Sequence, residues 1–407
     1  MSRVLLVCPE PLGHRQPAGI GIRFVEMAKV LRADGHTVSI LTPDGGTVEG
    51  CRCEVTAPES LLRLSGEHDV AVVQGHVANE LFAHAKPIPT VVDLYDPFII
   101  ENLHYYESRG AEVFTHDHAT LLNSLLRGDL FLCASEAQRL FYLGLLIAVG
   151  RLNPISFDDD PHLDSLLRIA PFGVQRPRSV PSRPRDTPAI LFGGIYDWYD
   201  PIVAMDAVAR TRTKFPKLTL TFTTHPNPEI TPQGKTAEAM QHAKRQRYEF
   251  VKFEPWVPYD DRAAFFDRFT LGLLTFRQSI ETDLAMRTRV YDYLWGALPI
   301  VTSSAPGTDE ILLRYHCGSV MKRDDATDFA NELAAILGDR ATYERMVDGT
   351  RSFVAHHQWE RTLRPLVEFC REPRFDRKKE SFAVRLQTPE RPPTILQRIR
   401  RRIGGSS

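Results

Sequence analysis

Short runs of aliphatic and β-branched residues alternate with segments of helical period almost from the first residue. "RVLLVC" at 3–8 predicts a strand. "GIRFVEMAKVLRADG" at 21–35 predicts a helix with Phe24, Ala28 and Leu31 on one face and Gly35 as its stop. "HTVSILT" (36–42), "DVAVVQ" (69–74), "IPTVVDL" (88–94) and "GDLFLCAS" (128–135) continue the strands of this half, which ends near "APFGV" at 170–174. A second series opens with "AILFGG" (189–194) and a helix through "PIVAMDAVARTR". It continues with "LTLTFTT" (218–224), "VKFEPWV" (251–257), "LGLLTF" (271–276) and "LPIVTS" (298–303). Strands that are apolar throughout, without alternation, are covered on both faces, as in a parallel sheet between helices. The pattern predicts an α/β protein of two doubly wound domains facing across a cleft, with ligands at the carboxyl ends of the strands.

Between the two series lies "QRPRSVPSRPRDTP" (175–188), too rich in proline for any element to run through it, so it reads as a linker. The expected organisation is a first domain over 1–174, the linker, a second domain over 189–358, a helix at 359–372 crossing back, and a basic tail over 373–407. A hydrophobic share of 43% and a charged share of 25% are those of a soluble globular chain. The net charge of −1 gives no reason to expect nucleic acid as a partner. The average hides an asymmetry: from Arg371 onward eleven Lys/Arg stand against four Asp/Glu, leaving −8 on the rest. The six cysteines include no CxxC pair and read as free thiols of a reducing cytosol, with no metal site. The longest nearly apolar run, "LFYLGLLIAVG", is roughly half a bilayer span, and "MSRVLLVCPE" reads as a first strand and not a signal peptide. A cytoplasmic protein without a transmembrane segment is expected.

The chemistry concentrates in "RTRVYDYLWGALPIVTS" (287–303). Arg289 and Asp292 share a helical face, and the helix is expected to break at Gly296 before a core strand. With "PAGIGIRFVEMAKVLRADGHTVSILT", "PFGV" and "FEPWVPYDDR", this stretch resembles the glycosyltransferases of the GT-B fold, most closely the large retaining family numbered four, over roughly residues 1–370. The resemblance implies two Rossmann-like domains, an acceptor side in the first and a nucleotide-diphosphate-sugar donor on the second, with no cofactor and no metal.

It implies roles residue by residue. Asp292 matches the acid that holds the ribose hydroxyls, and Arg289 a basic position one turn earlier. Relatives carry an Arg and a Lys after the first strand of the second domain, but "GGIYDWYDP" has neither. The diphosphate then falls to backbone at Gly193 and Gly194, and to Arg277, Arg287 and Arg289. Of the two glutamates common in relatives, the first falls on Leu284, so Glu281 and Asp283 become candidates for the donor sugar. Trp256 and Val257 match the nucleobase wall, and His225 follows a strand toward the cleft. In the first domain Gly19 and Gly21 match the loop near phosphate and acceptor. His76, Asp93 and Asp96 are the candidate catalytic groups, a carboxylate there accepting or orienting the proton of the acceptor hydroxyl.

The expected function is transfer of a sugar, with retention, to a glycan or lipid-linked acceptor in cell-surface polysaccharide or glycoconjugate synthesis. A GT-B epimerase, an inverting transferase and a non-catalytic nucleotide-sugar-binding subunit are the alternatives. In the tail, "PTILQRIRRRIGG" sets Ile395, Ile399 and Ile403 on one stripe and arginines on the remaining circumference. Such a helix suits the headgroup region of an anionic membrane, which would make the protein peripheral on its inner face.

Overall fold

The computed structural model describes residues 1–13, 17–105, 110–181, 186–224 and 234–380. Its first sheet is built from β1 (Arg3–Val7), β2 (Thr37–Thr42), β3 (Arg52–Val55), β4 (Val70–Val73), β5 (Thr90–Asp93), β6 (Leu130–Cys133) and β7 (Leu167–Ile169). The second is built from β8 (Ala189–Gly194), β9 (Thr219–Thr223), β10 (Val251–Glu254), β11 (Leu271–Leu274), β12 (Ile300–Ser303) and β13 (Gly318–Met321). The strand orders are β3-β2-β1-β4-β5-β6-β7 and β10-β9-β8-β11-β12-β13. All pairings within both sheets are parallel. In each sheet the chain starts near the middle, at β1 or β8, winds outward, and returns to the other side of its starting strand. The reversal opens a crevice at the carboxyl ends of β1/β4 and of β8/β11, the switch point where doubly wound sheets bind ligands. The β8–β9 register shifts between Leu191 and Gly193, which kinks the end of β8 beside that crevice.

Two helices carry the crevice walls. Gly19–Ala33 buries Phe24, Met27, Ala28 and Leu31 against the first sheet, a three-and-four spacing that keeps one face apolar. Thr288–Trp295 buries Val290, Tyr291, Tyr293 and Leu294. The helix ends at Trp295 with Gly296 as its C-cap, as expected, and the left-handed residue that follows is Ala297, at φ +53. Ala297 N–H donates to Leu294 O (3.0 Å) and Leu298 N–H to Tyr293 O (2.8 Å), a Schellman closure built on an alanine.

The sheets meet over an aromatic chain in which Phe172 packs on Tyr95 (5.8 Å between centroids), Tyr291 (5.8 Å) and Trp359 (4.6 Å). Val174 and Gln358 form an isolated parallel bridge, with Val174 N–H on His357 O at 2.8 Å. Beyond it the helices Trp359–Thr362 and Arg364–Arg371 return to the first domain. Ion pairs Arg168–Glu368 (2.6 Å), Arg151–Asp376 (2.7 Å) and Lys379–Asp129 (2.8 Å) hold the chain there. No helix among the described residues is long and apolar enough to cross a membrane. The amphipathic tail helix expected around Ile395–Ile403 lies outside the described residues.

Candidate active site in the cleft

A cavity of about 550 Å³ lies between the two sets of strand ends and takes its walls from both domains. On the second-domain side the kinked end of β8 sets Gly193 at φ +77. A Cβ there would stand 2.8 Å from Tyr293 Oη and 3.5 Å from Arg289 Nη1, so the position accepts glycine alone. Arg289 reaches over this turn: Nη1 donates to Phe192 O at 2.9 Å, and the guanidinium sits 4.3 Å from the Tyr199 ring centroid.

The other two arginines on the wall are already matched. Arg287 forms a buried two-pronged pair with Glu281, Nη2 to Oε2 at 2.6 Å. Arg262 donates to Asp292 Oδ1 at 2.6 Å and lies 3.7 Å above the Tyr259 ring, which fixes its approach. Burial raises the Asp292 pKa, and the Arg262 charge opposes that rise. Arg289 makes no ion pair among the described residues, so its charge is the one left for a ligand. Trp256, Val257 and Gly194 complete this wall, and Tyr196 and Trp198 stack at 4.9 Å and 7° beside it.

On the first-domain side Gly19 opens its helix directly opposite Thr288, the first residue of the facing helix; a Cβ there would come 3.2 Å from Thr288 Cγ2. The Glu10 carboxylate, just past β1, accepts from Gly21 N–H (2.9 Å) and Ala18 N–H (3.2 Å). Burial raises its pKa against the pull of those two amides. Asp96 and Glu101 line the same wall and hydrogen-bond to each other. Burial pushes Asp96 up to about 6, with Asp93 and Glu281 adding like charge. Burial, and then the charge of Asp96, lifts Glu101 well above the usual carboxylate range. Such a pair holds a proton between its members near neutral pH.

The cavity thus gathers Gly19, Asp96, Gly193, Gly194, Trp256, Val257, Arg287, Arg289 and Asp292. The other candidates stand elsewhere. Asp93 is locked to Arg23, Oδ2 to Nε at 2.6 Å and Oδ1 to Nη2 at 3.0 Å, with both side chains fully buried. His76 does not line the cavity; it sits 2.9 Å from Asp117 Oδ1 and stacks on His116, and burial lowers its pKa. Arg277 is 74% exposed, 3.7 Å from Asp200. Glu281 is buried behind the wall with Arg287, and Asp283 faces outward from the short helix Ile280–Leu284. The amide of Gly21 is taken by Glu10, and His225 lies outside the described residues. Glu10, Glu101, Tyr196, Trp198, Tyr259 and Arg262 were not singled out from the sequence. Only Glu10, immediately after an apolar strand, carried a local signal.

Solved structures share this fold. HepE of Anabaena, solved with UDP-glucose, matches with a TM-score of 0.65 at 14% identity over 90% of this chain and 98% of its own. The fold is GT-B. Sucrose-phosphate synthase from Thermosynechococcus elongatus matches at 0.62 and 13% identity, over 91% of this chain and 98% of its own. WaaG, a glycosyltransferase involved in lipopolysaccharide biosynthesis, matches at 0.60 and 13% identity, over 90% of this chain and 99% of its own. No family model matches the chain, and no curated protein matches it.

Proposed function

We propose that this GT-B chain is a glycosyltransferase that takes its sugar from a nucleoside-diphosphate donor held on the second domain. The observation that carries the reading is Arg289, a cation without a carboxylate partner among the described residues, poised over the Gly193–Gly194 turn in a cleft whose opposite wall is carboxylic. A diphosphate can approach the bare backbone of that turn and receive charge-assisted hydrogen bonds from the guanidinium. Asp292, one turn along the same helix, has its Oδ1 on Arg262 and leaves Oδ2 for ribose hydroxyls. As the glycosidic bond to the diphosphate breaks, negative charge grows on the departing oxygens, and Arg289 stabilises it where it forms. Asp96 and Glu101 meet the acceptor hydroxyl from the other side, and a closed cleft keeps water from competing with it. Retention of configuration, and a glycan or lipid-linked acceptor, are the outcomes we infer from the family resemblance.

The first donor to try is UDP-glucose, the ligand of HepE. A nucleotide-sugar panel read by thermal shift should show one donor class raising the melting temperature, since a ligand that binds only the native state stabilises it. Donor turnover that needs an added glycan acceptor supports transfer. Turnover without any acceptor would make the protein an epimerase or hydrolase, and binding without turnover a binding subunit. We further propose that the tail docks on anionic membrane: removing residues 391–407 should abolish salt-sensitive binding to anionic vesicles and leave donor binding intact.

A further inference from the structure

The charged side chains that the described first domain contributes to the cavity are all carboxyls: Glu10, Asp96 and Glu101. Glu10 occupies the place where the helix Gly19–Ala33 would hold an anion. Its Oε2 takes the amides of Ala18 and Gly21, the donors a helix start normally offers to a phosphate or carboxylate. The seat is tight: a Cβ on Gly21 would come within 2.7 Å of that oxygen. The protein supplies its own anion there, and a second would meet like charge.

Further along the wall the surroundings suit hydroxyl groups. Among the described residues Asp96 Oδ1 is buried without a hydrogen-bond partner, and so is the indole Nε1 of Trp198 across the cleft. The stacked Tyr196 and Trp198 rings face this region, with Trp198 6.1 Å from His104, three residues after Glu101, and 5.6 Å from the Arg287 guanidinium. Flat rings on one side and carboxyl oxygens on the other match a sugar ring, which has apolar C–H faces and hydroxyl edges. We infer that the acceptor is uncharged where it meets the first domain, a glycoside or polyol hydroxyl and not a phosphorylated or carboxylated group, and that Glu10 is the residue that excludes the anion. This rests on the transferase reading of the cavity.

The test titrates inorganic phosphate, glucose 6-phosphate and methyl β-glucoside calorimetrically into the full chain, with and without saturating UDP. The wild type with UDP bound should take methyl β-glucoside at least tenfold more tightly than glucose 6-phosphate, and show no further phosphate site. Glu10→Ala should gain one phosphate equivalent beyond the wild type, at least tenfold tighter, and the same gain for glucose 6-phosphate. Glu10→Gln keeps an oxygen on the Gly21 amide and should gain less, which covers the case in which the alanine variant does not fold. Wild-type binding of glucose 6-phosphate as tight as that of the glucoside overturns the inference, as does a folded Glu10 variant that gains no phosphate. Failure of UDP to bind counts against the nucleotide reading alone, because the phosphate arms without UDP still decide the role of Glu10.

Discussion

Replacing Asp96 by asparagine removes one ionisable group from the buried carboxyl pair and keeps its shape and one oxygen acceptor. In the fold the Asp96 carboxyl is lifted from 3.8 to about 6, first by burial. A carboxyl whose folded pKa lies above its unfolded value binds its proton more readily when folded. The stability linked to that proton is fully present below the unfolded value and is lost as pH rises through the folded one, here between about pH 4 and pH 6. At 1.36 kcal/mol per pH unit the full separation corresponds to about 3 kcal/mol. Glu101 shares the proton, so part of the change remains in the variant, and about 1.5–3 kcal/mol is expected. Urea unfolding of both proteins at half-unit steps should therefore give curves that diverge from pH 4 upward. By pH 7.5 Asp96→Asn should be the more stable protein by that amount, while below pH 4 the advantage vanishes. Acceptor-dependent turnover should fall in the variant with UDP affinity unchanged. Parallel stability curves from pH 4 to pH 7 would refute the reasoning, since they would mean that Asp96 ionises in the fold as freely as in the unfolded chain.

Arg289→Ala should weaken UDP binding by about tenfold to a hundredfold, the scale of losing charge-assisted hydrogen bonds, and calorimetry should find Arg277→Ala within twofold of wild type. Asp93→Ala strands the buried Arg23 guanidinium and should cost about 3–5 kcal/mol in urea unfolding. A stable Asp93→Ala protein that had lost only turnover would instead make Asp93 a catalytic group. Ala297→Gly relieves a left-handed backbone at the end of Thr288–Trp295 and, against the extra freedom of glycine when unfolded, should stabilise by about 0.5–1 kcal/mol. An unchanged or lower melting temperature would count against it.

The central strands were readable because they are rich in aliphatic and β-branched residues, with threonines filling positions of β2 and β9, and they are the ones covered on both faces. The edge strands β3, β7 and β13 were not: "RCEV", "LRI" and "GSVM" are short, and β3 and β13 lack a fully buried position. On the second-domain side, Gly193 lies at the end of β8 and Arg289 and Asp292 share one short helix, so local motifs sufficed to point to the crevice. What the motifs could not contain was each charge's partner. Asp93 and Asp96 lie three residues apart, yet one is neutralised by an arginine seventy positions upstream and the other by no cation on the cavity wall. Arg262 meets Asp292 across thirty positions, and Arg287 looked available until Glu281 folded onto it. Ala297 shows the same limit in the backbone: the break at Gly296 was legible, but nothing in an alanine announces the positive φ that follows it.

The bridge between Val174 and Gln358 has a mechanical consequence. The chain passes between the domains twice, and two separate tethers would leave the domains free to slide as well as to turn. Bonded side by side, the two passages act as one pivot, and Gly173 seated directly against the Trp359 ring leaves that pivot little play. Motion of one domain against the other is then a swing, with travel that grows with distance from Val174, so the cavity opens in the manner of jaws. Tyr95 Oη donates to Met286 O (3.1 Å) and Gln138 Nε2 to Leu284 O (2.9 Å) across the same boundary, and Tyr95, packed on Phe172, restrains the swing close to its axis. Two hydrogen bonds to backbone carbonyls are a light restraint, so little free energy separates the cleft as it stands from a wider one.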